Sequence, residues 1–105
     1  MTVMSKRYIL VKVISKHALS AERFGSALTD SVRRYFGELG LARVGPKIIH
    51  FDTTKSEAII ACNGERVEDL QAAIGLIADT PETTITAITL RVSGTIKSLR
   101  RRQRF

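Results

Sequence analysis

The sequence predicts an α+β domain: a four-stranded antiparallel sheet with two helices packed on one of its faces. Three observations lead there. Segments that alternate apolar and polar residues, and segments with apolar spacings of three and four, succeed one another as strand, helix, strand, strand, helix, strand. The two central strand segments are only a few residues apart, so they make a hairpin. The chain has 105 residues, 44% of them hydrophobic, which suits a single domain with one core.

The elements follow in order. RYILVKVIS (7–15) alternates, with Ile9, Val11 and Val13 on one side and Tyr8, Leu10, Lys12 and Ile14 on the other, the pattern of a strand. In SAERFGSALTDSVRRYFGEL (20–39), Phe24, Ala27, Leu28, Ser31, Val32, Tyr35 and Leu39 form one helical stripe. Ser20 is placed as its N-cap and Gly40 as its stop. KIIHFD (47–52) and SEAIIAC (56–62) are short β-rich segments joined through Thr53–Lys55. Asn63 is expected to cap a second helix from Glu65 to about Asp79, with Val67, Leu70, Ala73, Ile74 and Ile77 as its stripe and Pro81 as its end. TTITAITLRV (83–92) reads as the last strand, with Ile88, Leu90 and Val92 on one face. The order βαββαβ is that of the ferredoxin-like (RRM-like) split sandwich, in which the first and last strands lie side by side. Residues 1–5 read as an N-terminal tail, 6–93 as the domain, and 94–105 as a basic segment, either a short helix or a tail.

Charge is distributed unevenly. The chain carries a net +7, yet residues 1–18 hold Lys6, Arg7, Lys12 and Lys16 with no acid. Residues 83–105 hold Arg91, Lys97, Arg100, Arg101, Arg102 and Arg104 with no acid after Glu82. With the terminal strands adjacent, these two sets converge, and Lys12 and Arg91 share the open face of the sheet. A nucleic acid is the usual partner of such a surface. Ile96 and Leu99 stand three apart and can dock a helical turn or two, while arginine suits phosphate oxygens.

Catalytic patterns are missing. His17 and His50 lie in different segments, Cys62 has no second thiol, and no metal-ligand spacing occurs. His50 and Cys62 are read as structural. The glycines of YFGELGLARVGPK follow a helix and lack the lysine ending of a phosphate loop. RRM-style base stacking is not expected, because SEAIIAC has no aromatic residue and the first strand offers only Tyr8. The apolar Leu10 and Ile14, with Tyr8, instead suggest a protein interface on the open face. No apolar stretch is long enough for a membrane span; an anionic membrane surface is the rival polyanion for the basic region, and the expected partner is nucleic acid, not membrane. The N-terminus lacks a signal-peptide cleavage site, and one cysteine suits a reducing cytosol, so a cytoplasmic location is expected.

Several stretches together resemble a known family. SVRRYFGELGLARVGPKIIHFD, RYILVKVIS, AIIACNGERVEDLQAAI and VSGTIKSLRRR are similar, in this order, to segments of archaeal ribonuclease P protein component 2, over about residues 6–102. The resemblance implies a non-catalytic, RNA-binding subunit of the ribonucleoprotein endonuclease that removes the 5′ leader from precursor tRNA. It implies that the RNA subunit performs the hydrolysis with its own Mg²⁺, the protein binding no cofactor itself. The implied partners are the ribonuclease P RNA, protein component 3 and other holoenzyme proteins, precursor tRNA through the complex, and a second copy within a dimer of heterodimers. Lys97, Arg100, Arg101 and Arg102, in or beside the closing motif, are the first candidates for phosphate contact. Arg91, Lys12, Arg7 and Lys16 follow from the expected geometry. Arg43 flanks the Tyr-Phe-Gly-Glu turn, as do Arg33 and Arg34, which read equally well as a solvated helix face. Two other classes fit the fold: a protein-interaction or regulatory domain, and an acylphosphatase-like enzyme. The latter needs an arginine in a glycine-rich loop after the first strand, where this chain has KHALSAER.

Overall fold

The structure, a computed structural model, describes residues 5–16, 18–77 and 85–103, with the backbone alone for 100–103. His17, the expected helix end at Asp79 and Pro81, the first residues of the last expected strand (83–84) and Arg104 lie outside the described residues. The elements run β1 (Lys6–Ser15), α1 (Ala21–Val44), β2 (Lys47–Asp52), β3 (Glu57–Asn63), a 3₁₀ turn (Gly64–Arg66), α2 (Val67–Gly75), β4 (Ile85–Ser93) and α3 (Ile96–Gln103).

The four strands form one sheet in the order β2-β3-β1-β4, and each neighbouring pair is antiparallel. This is the ferredoxin-like arrangement. Ile9, Val11 and Val13 of β1, Ala58, Ile60 and Cys62 of β3, and Ile85 and Ala87 of β4 make one face of the core. Phe24, Leu28 and Val32 of α1, with Leu70, Ala73 and Ile74 of α2, cover it. Each buried Val, Leu, Ile or Phe among them contributes about 1.5–3 kcal/mol through removal from water. Phe24 meets Phe51 of β2 with ring centroids 5.7 Å apart. The buried Ser31 hydroxyl donates to the Ala73 carbonyl at 2.7 Å and ties α1 to α2.

Local chemistry explains most boundaries. The Ser20 hydroxyl accepts from the Arg23 amide at 3.1 Å, so it is the N-cap of α1. Gly40 is not the stop. The helix breaks at Gly37, where φ is 74° and ψ is 179°, and then resumes to Val44. Gly45, at φ 57°, ends it in the left-handed conformation, its amide donating to the Leu41 carbonyl at 2.9 Å. Phe36, four residues after Val32, continues the core stripe in place of the expected Tyr35, which is exposed. The break resets the helical phase beyond it, so Leu41 packs toward the core and the expected Leu39 is left exposed. Asn63 does not cap α2 with its side chain. Its amide donates instead to the Arg43 carbonyl at 2.6 Å, in the last turn of α1. In the β2–β3 turn the Lys55 amide donates to the Asp52 carboxylate at 3.0 Å, and that bond holds the carboxyl below the usual range.

Two bulges decide which way side chains point. On β4, Leu10 lies opposite Arg91 and Val11 opposite Thr89, so Leu90 has no partner. On β2, Ile48 lies opposite Ile60 and His50 opposite Ile59, so Ile49 is the extra residue. A two-residue alternation counted through a bulge changes face. The expected set Ile88, Leu90 and Val92 is split for this reason. Ile85, Ala87 and Val92 pack on the core, whereas Ile88 and Leu90 are exposed.

Candidate nucleic-acid interface

The second face of the sheet is not open throughout. β4 runs into Gly94 and Thr95, and the Thr95 hydroxyl accepts from the Ser98 amide at 3.2 Å, capping α3. The Thr95 amide in turn donates to the Ser93 hydroxyl at 3.2 Å. α3 lies on this face and drives Leu99 onto Leu10 of β1 and Ile59 of β3. All three are buried, and Tyr8 and Ile96 pack at the margin. Leu10 is therefore not free to meet a partner: its own chain covers it. Tyr8 is half-buried at the edge of the same cluster, and Ile14, farther along β1, is exposed.

The strand pairing gathers cations at one end of the sheet. Lys6 lies opposite Asn63 and Arg7 opposite Cys62, and Tyr8 lies opposite Ser93 where β4 finishes. The start of β1 thus adjoins the start of α3. The Arg7 guanidinium donates to the Lys6 carbonyl at 3.2 Å. A Cβ placed on Gly94 would stand 3.6 Å from the same guanidinium. Asn63 brings the Arg43 backbone to this end, and Lys97 sits exposed in the first turn of α3. Arg91, opposite Leu10, reaches over the outer face and donates to the Ser98 hydroxyl at 3.3 Å.

The remaining candidates separate from this group. Lys12 is on the same face as Arg91 but farther along β1, and its ammonium donates to the Lys55 carbonyl at 2.6 Å. Lys16 follows the far end of the ten-residue β1, about 30 Å from the strand's start at the usual rise. It is not brought together with Arg7 and α3. Arg100, Arg101 and Arg102 belong to α3, and their side chains are outside the described residues. Arg33 is engaged with Asp30 and Glu38 on the surface of α1, which fits a solvated helix face. Lys6, counted in the sequence among the converging cations but not singled out for phosphate contact, lies at this end, and sequence reasoning passed over Lys47. Lys47 is opposite Ala61, which is opposite Tyr8, so it belongs to the row that crosses the sheet at the basic end. Its place after the Gly45–Pro46 turn was the only signal.

The groups considered for chemistry are dispersed. His50 is exposed on the outer face, opposite Ile59. Cys62 is buried in the core; burial pushes its thiol up, against a smaller downward pull from Lys6 and Arg7. Among the described residues no group of three or more His, Cys, Asp or Glu side chains is placed to hold a metal ion. No helix among them is long and apolar enough to cross a membrane.

Comparison with known proteins bears on what this surface meets. A family model described as the Rpp14/Pop5 family matches residues 7–103. A ribonuclease P protein component 2 of Pyrococcus furiosus is 37% identical over 97 residues, 92% of this chain and 81% of that one. The protein of the same name from Pyrococcus abyssi is 34% identical over 96 residues, 91% of this chain and 81% of that one. Among solved structures, a chain from the cryo-EM structure of yeast ribonuclease MRP superposes with a TM-score of 0.74 at 17% identity, covering 99% of this chain and 95% of that chain. At that identity the likeness is one of fold.

Proposed function

The chain belongs to the Rpp14/Pop5 family, and from that premise we propose that it is a protein subunit of ribonuclease P, supporting the catalytic RNA in tRNA 5′-end processing. The observation that carries the proposal is the similarity to ribonuclease P component 2 proteins along nearly the whole chain. It acts as one component of a ribonucleoprotein, beside the RNA and other holoenzyme proteins. Protein component 3 and a second copy of this chain are the protein contacts we propose. Of the apolar residues named from the sequence, Ile14 is exposed and stays a candidate for one of them.

The physical role is electrostatic and geometric. A catalytic RNA must hold its own phosphates and those of its substrate close together. The basic end formed by Lys6, Arg7, Arg43, Arg91 and Lys97, with the α3 arginines beyond it, lowers that repulsion and supplies a fixed surface for backbone phosphates. Hydrolysis and its Mg²⁺ belong to the RNA. The site of action is the cytoplasm, where the lone buried Cys62 stays reduced.

The test is reconstitution. Archaeal catalytic RNA and component 3 are assayed for precursor-tRNA cleavage at limiting Mg²⁺, with and without this chain. Cleavage should rise when it is added and converge at high Mg²⁺. Equal cleavage at every Mg²⁺ concentration would refute the assignment.

A further inference from the structure

The basic C-terminal segment is keyed into the domain by contacts that do not use its own cations. Leu99 is fully buried against Leu10 and Ile59, and Ile96, three residues earlier on the same helical face, packs at the margin. Thr95 caps the helix and Arg91 reaches Ser98. Five cations fall within residues 97–104, with no acid among them. An eight-residue helix of that composition is marginal alone in water, and its like charges oppose ordering. Apolar docking supplies the order that helix propensity cannot.

We propose that Leu99 is a positioning residue for RNA binding. By locking α3 onto Leu10 and Ile59 it fixes the helical backbone that carries Lys97 and Arg100–Arg102, so that RNA phosphates meet an ordered helix and not a tether. The inference rests on the reading that this surface binds RNA. Anchor and charge then have different signatures. Loss of a cation reduces the number of counterions released and flattens the salt dependence. Loss of the anchor leaves that number in place and adds the ordering of the segment to the cost of binding.

The experiment measures affinity of the full chain for an archaeal ribonuclease P RNA across a salt series. Leu99→Ala is expected to bind about tenfold more weakly at unchanged slope, since ordering even one or two residues has that effect. Leu99→Met is expected within about twofold of the parent, because it keeps the volume. The pair Arg100→Gln and Arg101→Gln is expected to flatten the log–log slope by about 1.4–1.8. Trypsin should cut after residues 100–102 sooner in Leu99→Ala than in the parent. If Leu99→Ala fails to fold, Ile96→Ala, at the margin of the cluster, decides in its place, with the same expected loss. Parent-like affinity in the folded anchor variants, beside a flattened slope in the arginine pair, overturns the proposal and leaves the RNA surface standing. An unchanged slope in the arginine pair means that these arginines do not meet RNA, and the proposal falls while the test of the basic end by reconstitution stands apart from it.

Discussion

Single residues set the terms on which the basic end exists. Gly64 is one of them. A Cβ there would stand 2.7 Å from the Ser5 carbonyl oxygen and 3.5 Å from Cγ of Arg7, while its own amide donates to that carbonyl at 2.8 Å. Gly64→Ala is expected to displace the first residues of β1, costing about 1–3 kcal/mol in urea unfolding and weakening RNA binding with it. A parent-like unfolding midpoint would mean that Ser5 moves aside freely. Cys62 behaves differently. Burial raises its thiol, so the folded state holds the proton more tightly than the unfolded one. The resulting stabilisation is complete below the unfolded thiol's value near about 8.5 and is lost as pH rises through the higher folded value. Urea midpoints taken from neutral to alkaline pH should therefore fall more in the parent than in Cys62→Ala. Native protein should resist alkylation that the unfolded chain undergoes readily.

At the scale of elements, α1 and α3 carry the sharpest expectations. Gly37 holds φ 74° with nothing within 4 Å of a Cβ built there, so its requirement for glycine is purely conformational. Gly37→Ala is expected to cost about 1–3 kcal/mol by strain at that position, read as a lower denaturant midpoint. A variant as stable as the parent would show that the break tolerates a side chain. Deleting 97–105 removes phosphate contacts and also uncovers Leu10 and Ile59. It should flatten the salt slope by about 3.5–4.5 if all five cations meet phosphate, and it should destabilise the domain by roughly 2–5 kcal/mol, as loss of a buried leucine does. Much of this was legible beforehand. Alternation in RYILVKVIS placed Ile9, Val11 and Val13 inward, spacing placed Leu70, Ala73 and Ile74 on one stripe, and the Ile96–Leu99 pair left room for a docked helical turn beside the alternative of a tail. What escaped were features without periodicity. The helix stop moved from Gly40 to Gly45 because a break at Gly37 restarts the turn count, and composition does not distinguish a glycine that breaks a helix from one that ends it. The bulges at Ile49 and Leu90 insert one residue each, which no alternation rule reveals. Leu10 looked available because the strand pattern shows that a residue leaves the core but not what covers it.

Across the whole molecule, the arrangement is a slab of 45 × 36 × 18 Å with cations concentrated where β1 begins and β4 ends. Affinity for RNA should therefore fall steeply with salt, and neutralising Arg7 with Lys97 should lower it more than neutralising Lys16 with Lys55, which lie toward the other end. Equal losses from the two pairs would argue for diffuse attraction. The position of β1 has a further consequence for how the molecule is made. β1 is synthesised before the other three strands, yet one of its two edges stays vacant until β4, some seventy residues later, leaves the ribosome. Closure over so long a sequence separation is slow, and α3, whose Leu99 covers Leu10 and Ile59, follows β4 in the chain. A nascent chain thus lacks the α3 part of its grip on RNA until both β4 and α3 have been made, so products truncated before α3 should be poor competitors for the ribozyme.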